Sequence, residues 1–169
     1  MAPEPLAYFQ GKILPADQAQ VPVMTHALHY GTAVFEGIRG NWNEEEGKIF
    51  IFRPLEHFQR FLDGCKILRM TLPHTAEELV QITKDLVQTG GFKEDIYIRP
   101  LAFKSEPKVA NLELHELSDD FVIIALPFGR YIDTEVAHCI TASWRRMDET
   151  MIPPRVKISG LYVNSILAK

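Results

Sequence analysis

The chain has few cysteines, no long apolar run and no excess of positive charge. Only Cys65 and Cys139 occur, far apart and without metal-site spacing, so they read as buried free thiols in a reducing cytoplasm. No stretch approaches the roughly 18–20 apolar residues that cross a bilayer, so no membrane contact is expected. Met1-Ala2-Pro3-Glu4-Pro5 has neither a basic start nor an apolar core, and no secretory signal is expected. Lys and Arg total 18 against 22 Asp and Glu, a net charge of −4. That balance lacks the basic stripe that a nucleic-acid backbone requires. What is present is ordinary for a globular protein: 169 residues, 46% hydrophobic and 10% aromatic. A chain this long buries roughly 70% of the surface its unfolded form exposes.

Local patterns predict the elements. Gly11-Lys12 between two short apolar runs predicts a hairpin, and Val34–Trp42 and Lys48–Arg53 read as strands joined by the acidic turn 43–47. Pro54 opens a helix, where its missing N–H is no loss; Leu55, Phe58, Phe61, Leu62 and Cys65 then share one face. Thr75 with Glu78 three residues on predicts a capped second helix with Leu79, Ile82, Leu86 and Val87 buried, ended by Gly90-Gly91. Ile96–Phe103 and Phe121–Leu126 are strands, with a polar loop and a helical turn between them. This order is an α+β pattern, not regular βαβ alternation. Residues 1–129 read as one small domain and 130–135 as a linker. Residues 136–169 read as the opening of a second, truncated domain, with a strand at Val136–Trp144, a loop, and a helix within Lys157–Lys169.

Several residues could carry chemistry. Lys157 follows the rigid Ile152-Pro153-Pro154 and precedes Ser159-Gly160. Apolar surroundings favour a neutral amine, and a neutral amine attacks a carbonyl to form a Schiff base; a solvated surface lysine is the plainer alternative. His26, His29 and Tyr30 crowd one short stretch, as a metal site or as a packed loop whose imidazoles bond to backbone. Arg60 lies off the apolar stripe of its helix, either a surface arginine near Glu56 or Asp63 or a forked phosphate donor. Tyr97 and Arg99 alternate with Ile96 and Ile98 and so point to one sheet face. That pair could hold a substrate carboxylate or form the wet side of a sheet.

Five motifs in register then give a resemblance across essentially the whole chain. They are His26-Ala-Leu-His-Tyr-Gly-Thr32, Val34-Phe-Glu-Gly-Ile-Arg39, Glu56-His-Phe-Gln-Arg60, Tyr97-Ile-Arg-Pro100, and Lys157 with Tyr162 five residues on. The chain resembles the N-terminal part of branched-chain amino-acid aminotransferases of the fold-type IV pyridoxal-phosphate group. The resemblance implies a small α/β-sandwich domain followed by the start of a larger one. It implies a pyridoxal 5'-phosphate cofactor on Lys157 as Schiff-base lysine and proton shuttle, with Arg60 on the phosphate and Tyr162 near the pyridoxal phenolate. Tyr97, Phe35, Gly37 and Arg39 would receive the amino acid. Arg99 and Tyr30 would sit at the wall shared with a second subunit of a homodimer or higher oligomer.

Two departures accompany this. Ile158-Ser159-Gly160-Leu161 stands where many relatives carry Ala-Gly-Gly-Asn. Family members are also roughly twice as long, so the carboxylate expected at the pyridine nitrogen falls outside these residues, and the chain alone is expected to be catalytically incomplete. A D-amino-acid aminotransferase or an aminodeoxychorismate lyase would share the lysine and arginine. A non-catalytic dimerisation module is the reading from another class.

Overall fold

The computed structural model describes residues 4–129 and 135–169. The chain opens with β1 (Leu6–Phe9) and β2 (Lys12–Pro15), the expected hairpin. Gln10 and Gly11 turn it at φ 49° and 78°, the two left-handed positions of a type I′ turn, one residue before the expected Gly11-Lys12, since Lys12 pairs with Phe9. A short helix α1 (His26–Tyr30) precedes β3 (Ala33–Phe35), β4 (Ile38–Asn43) and β5 (Lys48–Ile51). Two longer helices follow, α2 (Pro54–Ile67) and α3 (Ala76–Gly90), and then β6 (Ile96–Lys104), β7 (Asp119–Pro127) and the short α4 (Tyr162–Leu167). The strands form one antiparallel sheet in the order β2-β1-β7-β6-β4-β5, with β3 also paired to β6. The α+β expectation holds.

Sequence periodicity located both main helices. Thr75 accepts from the Glu78 amide and Glu78 from the Thr75 amide, a reciprocal capping box. Phe58, Phe61 and Cys65 of α2 and Leu79 and Leu86 of α3 are buried against one sheet face with Ile38, Ile96, Ile98, Phe121 and Ile123. Along β7, Val122 belongs instead to a second, smaller cluster with Ala7, Phe9 and Phe103; alternate strand residues face opposite sides. Val156 and Ile158 also enter the main core, so the Lys157 segment is anchored to this sheet.

Three expectations change. The strand over 34–42 is broken at Glu36-Gly37, although both halves keep one register on β6, Phe35 opposite Leu101 and Ile38 opposite Ile98. The break lies opposite Pro100, which has no N–H to give the ladder. The following strand ends at Ile51 because Arg53 is left-handed at φ 46° as it enters α2. No strand forms over Val136–Trp144, where Ile140 is 93% exposed; strands need neighbours for their backbone groups, and none pairs with it among the described residues. The expected linker falls on residues 130–134, outside the described residues, and Glu135 beyond them is in a bend. Lys157–Lys169 contains helix only from Ser159, as a 3-10 turn leading into α4.

Candidate active site

The site begins where β3 stops. Phe35 ends β3 and Gly37 lies in the strand break, while Tyr97 and Arg99 project from β6 on the same face. These four line an open cleft of about 680 Å³ together with Phe128, Lys157, Ser159 and Tyr162. Lys157 Nζ stands 5.8 Å from the centre of the Phe35 ring, and the Tyr162 ring packs on Phe35 at 4.9 Å. Lys157 is thus a half-buried amine among aromatic rings.

Arg99 is held within that wall. Its Nε and Nη2 donate to the Tyr97 hydroxyl at 3.1 and 2.8 Å, and its guanidinium stacks over Phe35 at 4.4 Å, in the range of a cation–π contact. A guanidinium has five N–H groups, so donors remain for a carboxylate. Gly37 keeps the wall close, because a Cβ there would lie 2.5 Å from the Tyr97 hydroxyl.

Arg60 meets a partner that local spacing did not suggest. On α2 it forks onto Glu36, Nε to Oε1 at 2.6 Å and Nη2 to Oε2 at 2.7 Å, the bidentate geometry peculiar to arginine. His57 Nδ1 reaches Glu36 Oε2 at 3.1 Å. An ionised carboxylate only accepts, so Nδ1 carries the hydrogen of that bond. The Glu36 side chain is 2% exposed. Burial pushes its carboxyl upward, but the hydrogen bonds from Arg60 and His57 outweigh this and hold the pKa below the ordinary glutamate value.

An acid-stability prediction follows. Because folding lowers this pKa, the folded chain takes up the Glu36 proton less readily than the unfolded one. Its stabilising contribution is complete above the unfolded value of about 4.3 and is lost as pH falls through the folded value. Glu36→Gln is expected to show a shallower fall in urea midpoint from about pH 6 to about pH 3 than the parent. Parallel curves would refute the assignment.

The other sequence-derived candidates lie apart from the cleft lining. Arg39 donates through Nη2 to Asp95 at 3.1 Å and lies 5.7 Å from the Phe128 ring centre. Asp95 also accepts from the Trp42 amide at 2.9 Å, and its carbonyl from the Phe128 amide at 2.9 Å. Arg39 therefore braces Phe128, a cleft residue that no motif suggested. The Tyr30 hydroxyl accepts from the Ala110 amide at 2.8 Å and its ring packs on His26 at 4.5 Å. His26 Nε2 bonds the Asn111 carbonyl at 2.8 Å and His29 Nε2 the Val23 carbonyl at 2.9 Å. Both imidazoles thus bond to backbone, the plainer of the two readings of that stretch.

A lysine framed by an aromatic–arginine wall, on one antiparallel sheet backed by two helices, defines a class. Residues 33–169 match the model of amino-transferase class IV, and the chain belongs to that family. It is 44% identical to a probable branched-chain-amino-acid aminotransferase of Aquifex aeolicus over 96% of this chain and 52% of that protein. With the branched-chain-amino-acid aminotransferase of Escherichia coli K12 it is 35% identical over 95% of this chain and 52% of that protein. The crystal structure of the branched-chain aminotransferase from Thermoproteus uzoniensis with norvaline superposes at a TM-score of 0.90. That match has 39% identity over 96% of this chain and 54% of that one. The branched-chain amino acid aminotransferase from Thermobaculum terrenum in its PLP-form superposes at a TM-score of 0.86 and 32% identity, over 98% of this chain and 54% of that one. The chain spans about half the length of the relatives it matches. No helix among the described residues is long and apolar enough to cross a membrane.

Proposed function

We propose that this chain forms the N-terminal half of a branched-chain amino-acid aminotransferase. It uses pyridoxal 5'-phosphate to pass the amino group of L-leucine, L-isoleucine or L-valine to 2-oxoglutarate. One observation carries the reading: Lys157, Tyr162, Tyr97 and Arg99 converge on a single aromatic cleft. The relatives' names supply the branched-chain class, and the PLP-form of the Thermobaculum terrenum enzyme supplies the cofactor.

The chemistry of the residues present suits such a cofactor, with Lys157 and Tyr162 in the cleft and Arg60 on α2 outside its lining. An amine inside an aromatic cleft suits its aldehyde, and the Arg60 fork, anchored on Glu36, retains an Nη1 pair for a phosphate. When bound, the cofactor supplies the electron-withdrawing ring that loosens bonds at the α-carbon of an amino acid. Lys157 Nζ is the amine that would hold the cofactor's aldehyde carbon and, when free, would hold and return the migrating proton. Tyr162 orients the ring through its hydroxyl, and Arg60 binds the phosphate. Arg99 takes a substrate carboxylate, and Phe35 and Tyr97 exclude water around an aliphatic side chain. Gly37 keeps the space between them open, and Arg39 acts through Phe128.

We further place residues 1–129 in a small domain, 130–135 in a linker and 136–169 in the start of the large domain. The working assembly is a homodimer or larger in which Tyr30 and Arg99 face a neighbouring subunit. The compartment is the cytoplasm, a reading supported by the free thiols, of which Cys65 is buried as expected while Cys139 is exposed against expectation.

The full-length protein is expected to bind pyridoxal phosphate with a visible absorption band, to be trapped by borohydride at Lys157, and to transaminate L-leucine. Lys157→Ala is expected to abolish the trapped adduct and to lower turnover by at least about 100-fold, the range of a lost proton-transfer group. Activity on D-alanine with none on L-leucine would overturn the branched-chain reading. Adducts scattered over surface lysines would overturn the role of Lys157.

A further inference from the structure

Lys157 is remote from β3 in sequence, yet its backbone is fastened to that strand. The Lys157 carbonyl accepts from the Phe35 amide at 3.0 Å, and the Gly160 amide donates to the Gly31 carbonyl at 3.4 Å. Ile158 forms an antiparallel bridge with Val34. Val156 and Ile158 are both buried in the main core, so extended-chain alternation turns the residue between them the other way, into the cleft. Residues 156–158 are thus a guest segment laid along the entry to β3, and Ser159–Leu161 continue it as a 3-10 turn.

The seat of this guest is closest at one glycine. Gly31 ends α1 in the left-handed region at φ 64°. A Cβ added there would lie 2.8 Å from Gly160 Cα and 3.1 Å from Gly160 N. Both are backbone atoms, which cannot rotate aside as a side chain can. The restriction is one-sided, since a Cβ on Gly160 would meet the Gly31 carbonyl oxygen at an ordinary 3.6 Å. On the core side, a Cβ at Gly64 of α2 would lie 2.8 Å from Val156 Cγ2 and 2.9 Å from Val34 Cγ1. The lysine segment is therefore gripped from both sides.

We propose that Gly31 is a positioning residue. By letting its backbone touch that of Gly160, it sets how far Lys157 Nζ reaches across the Phe35 ring. Any side chain at position 31 lifts the guest segment and retracts the amine from the cleft. Displacements of about 1 Å at a reacting group lower rates by about 100-fold, so a shift that leaves the fold intact still disables the lysine. This inference rests on the reading of Lys157 as the cofactor lysine.

The test compares Gly31→Ala with Gly47→Ala in the full-length protein. Gly47 is also left-handed, at φ 60°, but has nothing within 4 Å of an added Cβ; it reports backbone strain without the contact. Each variant is treated with pyridoxal phosphate, reduced with borohydride and peptide-mapped, and its melting curve is recorded. The parent and Gly47→Ala are expected to carry the label on Lys157. Gly31→Ala is expected to label that residue at least about tenfold more slowly while it still melts in a single cooperative transition. Parent-like labelling of Gly31→Ala, or equal loss in both variants, overturns the proposal. Label scattered in the parent itself sinks the Lys157 reading, and this inference with it. Should Gly31→Ala not fold, hydrogen exchange on the cofactor-free parent decides. The Phe35 and Gly160 amides are expected to be protected together, and exchange of the Gly160 amide at its unprotected rate overturns the clasp.

Discussion

Lys104→Met is expected to lower the unfolding free energy by about 3–5 kcal/mol, a large share of the roughly 5–15 kcal/mol that holds a typical domain. Lys104 ends β6 with its side chain 1% exposed, and its Nζ lies 2.7 Å from Asp119 Oδ1. The same ammonium donates to the Arg69 carbonyl at 2.9 Å and the Leu117 carbonyl at 3.4 Å. Asp119 in turn accepts from the Thr71 amide at 2.9 Å. One ion pair therefore ties together the exit of α2, the end of β6 and the start of β7. Methionine keeps the length of the stem but leaves a mostly buried carboxylate without its cation and two carbonyls without a donor. Replacing one partner is the damaging change; an apolar replacement of a whole buried pair is often tolerated. The double variant Lys104→Met/Asp119→Asn should accordingly recover part of the loss. Denaturant midpoints at unchanged slope measure both effects, and a single-variant loss below about 1 kcal/mol would assign the pair no structural weight. The same carboxylate acts on Cys65, whose thiol is pushed up to about 12 by burial first and by Asp119 second; alkylation of the native protein should therefore spare it.

The second large effect concerns Arg60. In the full-length protein, Arg60→Ala is expected to weaken pyridoxal phosphate by about 10–100-fold, the span of a charge-assisted hydrogen bond of about 1.5–3 kcal/mol. Pyridoxal without the phosphate should bind about equally to parent and variant. Arg60→Lys tests the geometry further. Lysine keeps the charge but cannot fork onto Glu36 while offering a second edge to an anion. It should therefore fall nearer to alanine than to arginine. Spectroscopic titration with the two aldehydes separates the cases. Equal losses for both would mean that Arg60 supports the fold of α2 and has no part in holding a phosphate.

Sequence periodicity revealed those parts of the fold that are set by neighbours along the chain. The first hairpin, though not its exact turn residues, the apolar stripes of α2 and α3, the Thr75–Glu78 box and the shared face of Tyr97 and Arg99 all depend on residues within a few positions of one another. What escaped depends on strand register. Glu36 sits inside a strand-like apolar stretch, and nothing near it announces that α2 will bring Arg60 and His57 onto its carboxylate. Arg39 finds Asp95, and Asp95 finds Phe128, only because β4 and β7 flank β6. Lys104 reads as the start of the polar loop until β7 places Asp119 against it. The misread strand at 136–144 shows the converse: its residue types suit a sheet, but β-structure belongs to pairs of segments. The five motifs in register identified the family at a level that no single residue could have reached.

The guest segment sets how this architecture tolerates change in length. The separation between the lysine and its aromatic wall is fixed by two amide–carbonyl bonds and one bridge, not by the chain that runs between them. That intervening chain includes the polar loop from Ser105 to Ser118, much of it exposed. Lengthening a flexible loop adds little closure entropy, about 0.6 kcal/mol per doubling. Insertions at its exposed tip can therefore vary without retuning the reach of Lys157, whereas a single methyl group at Gly31 cannot.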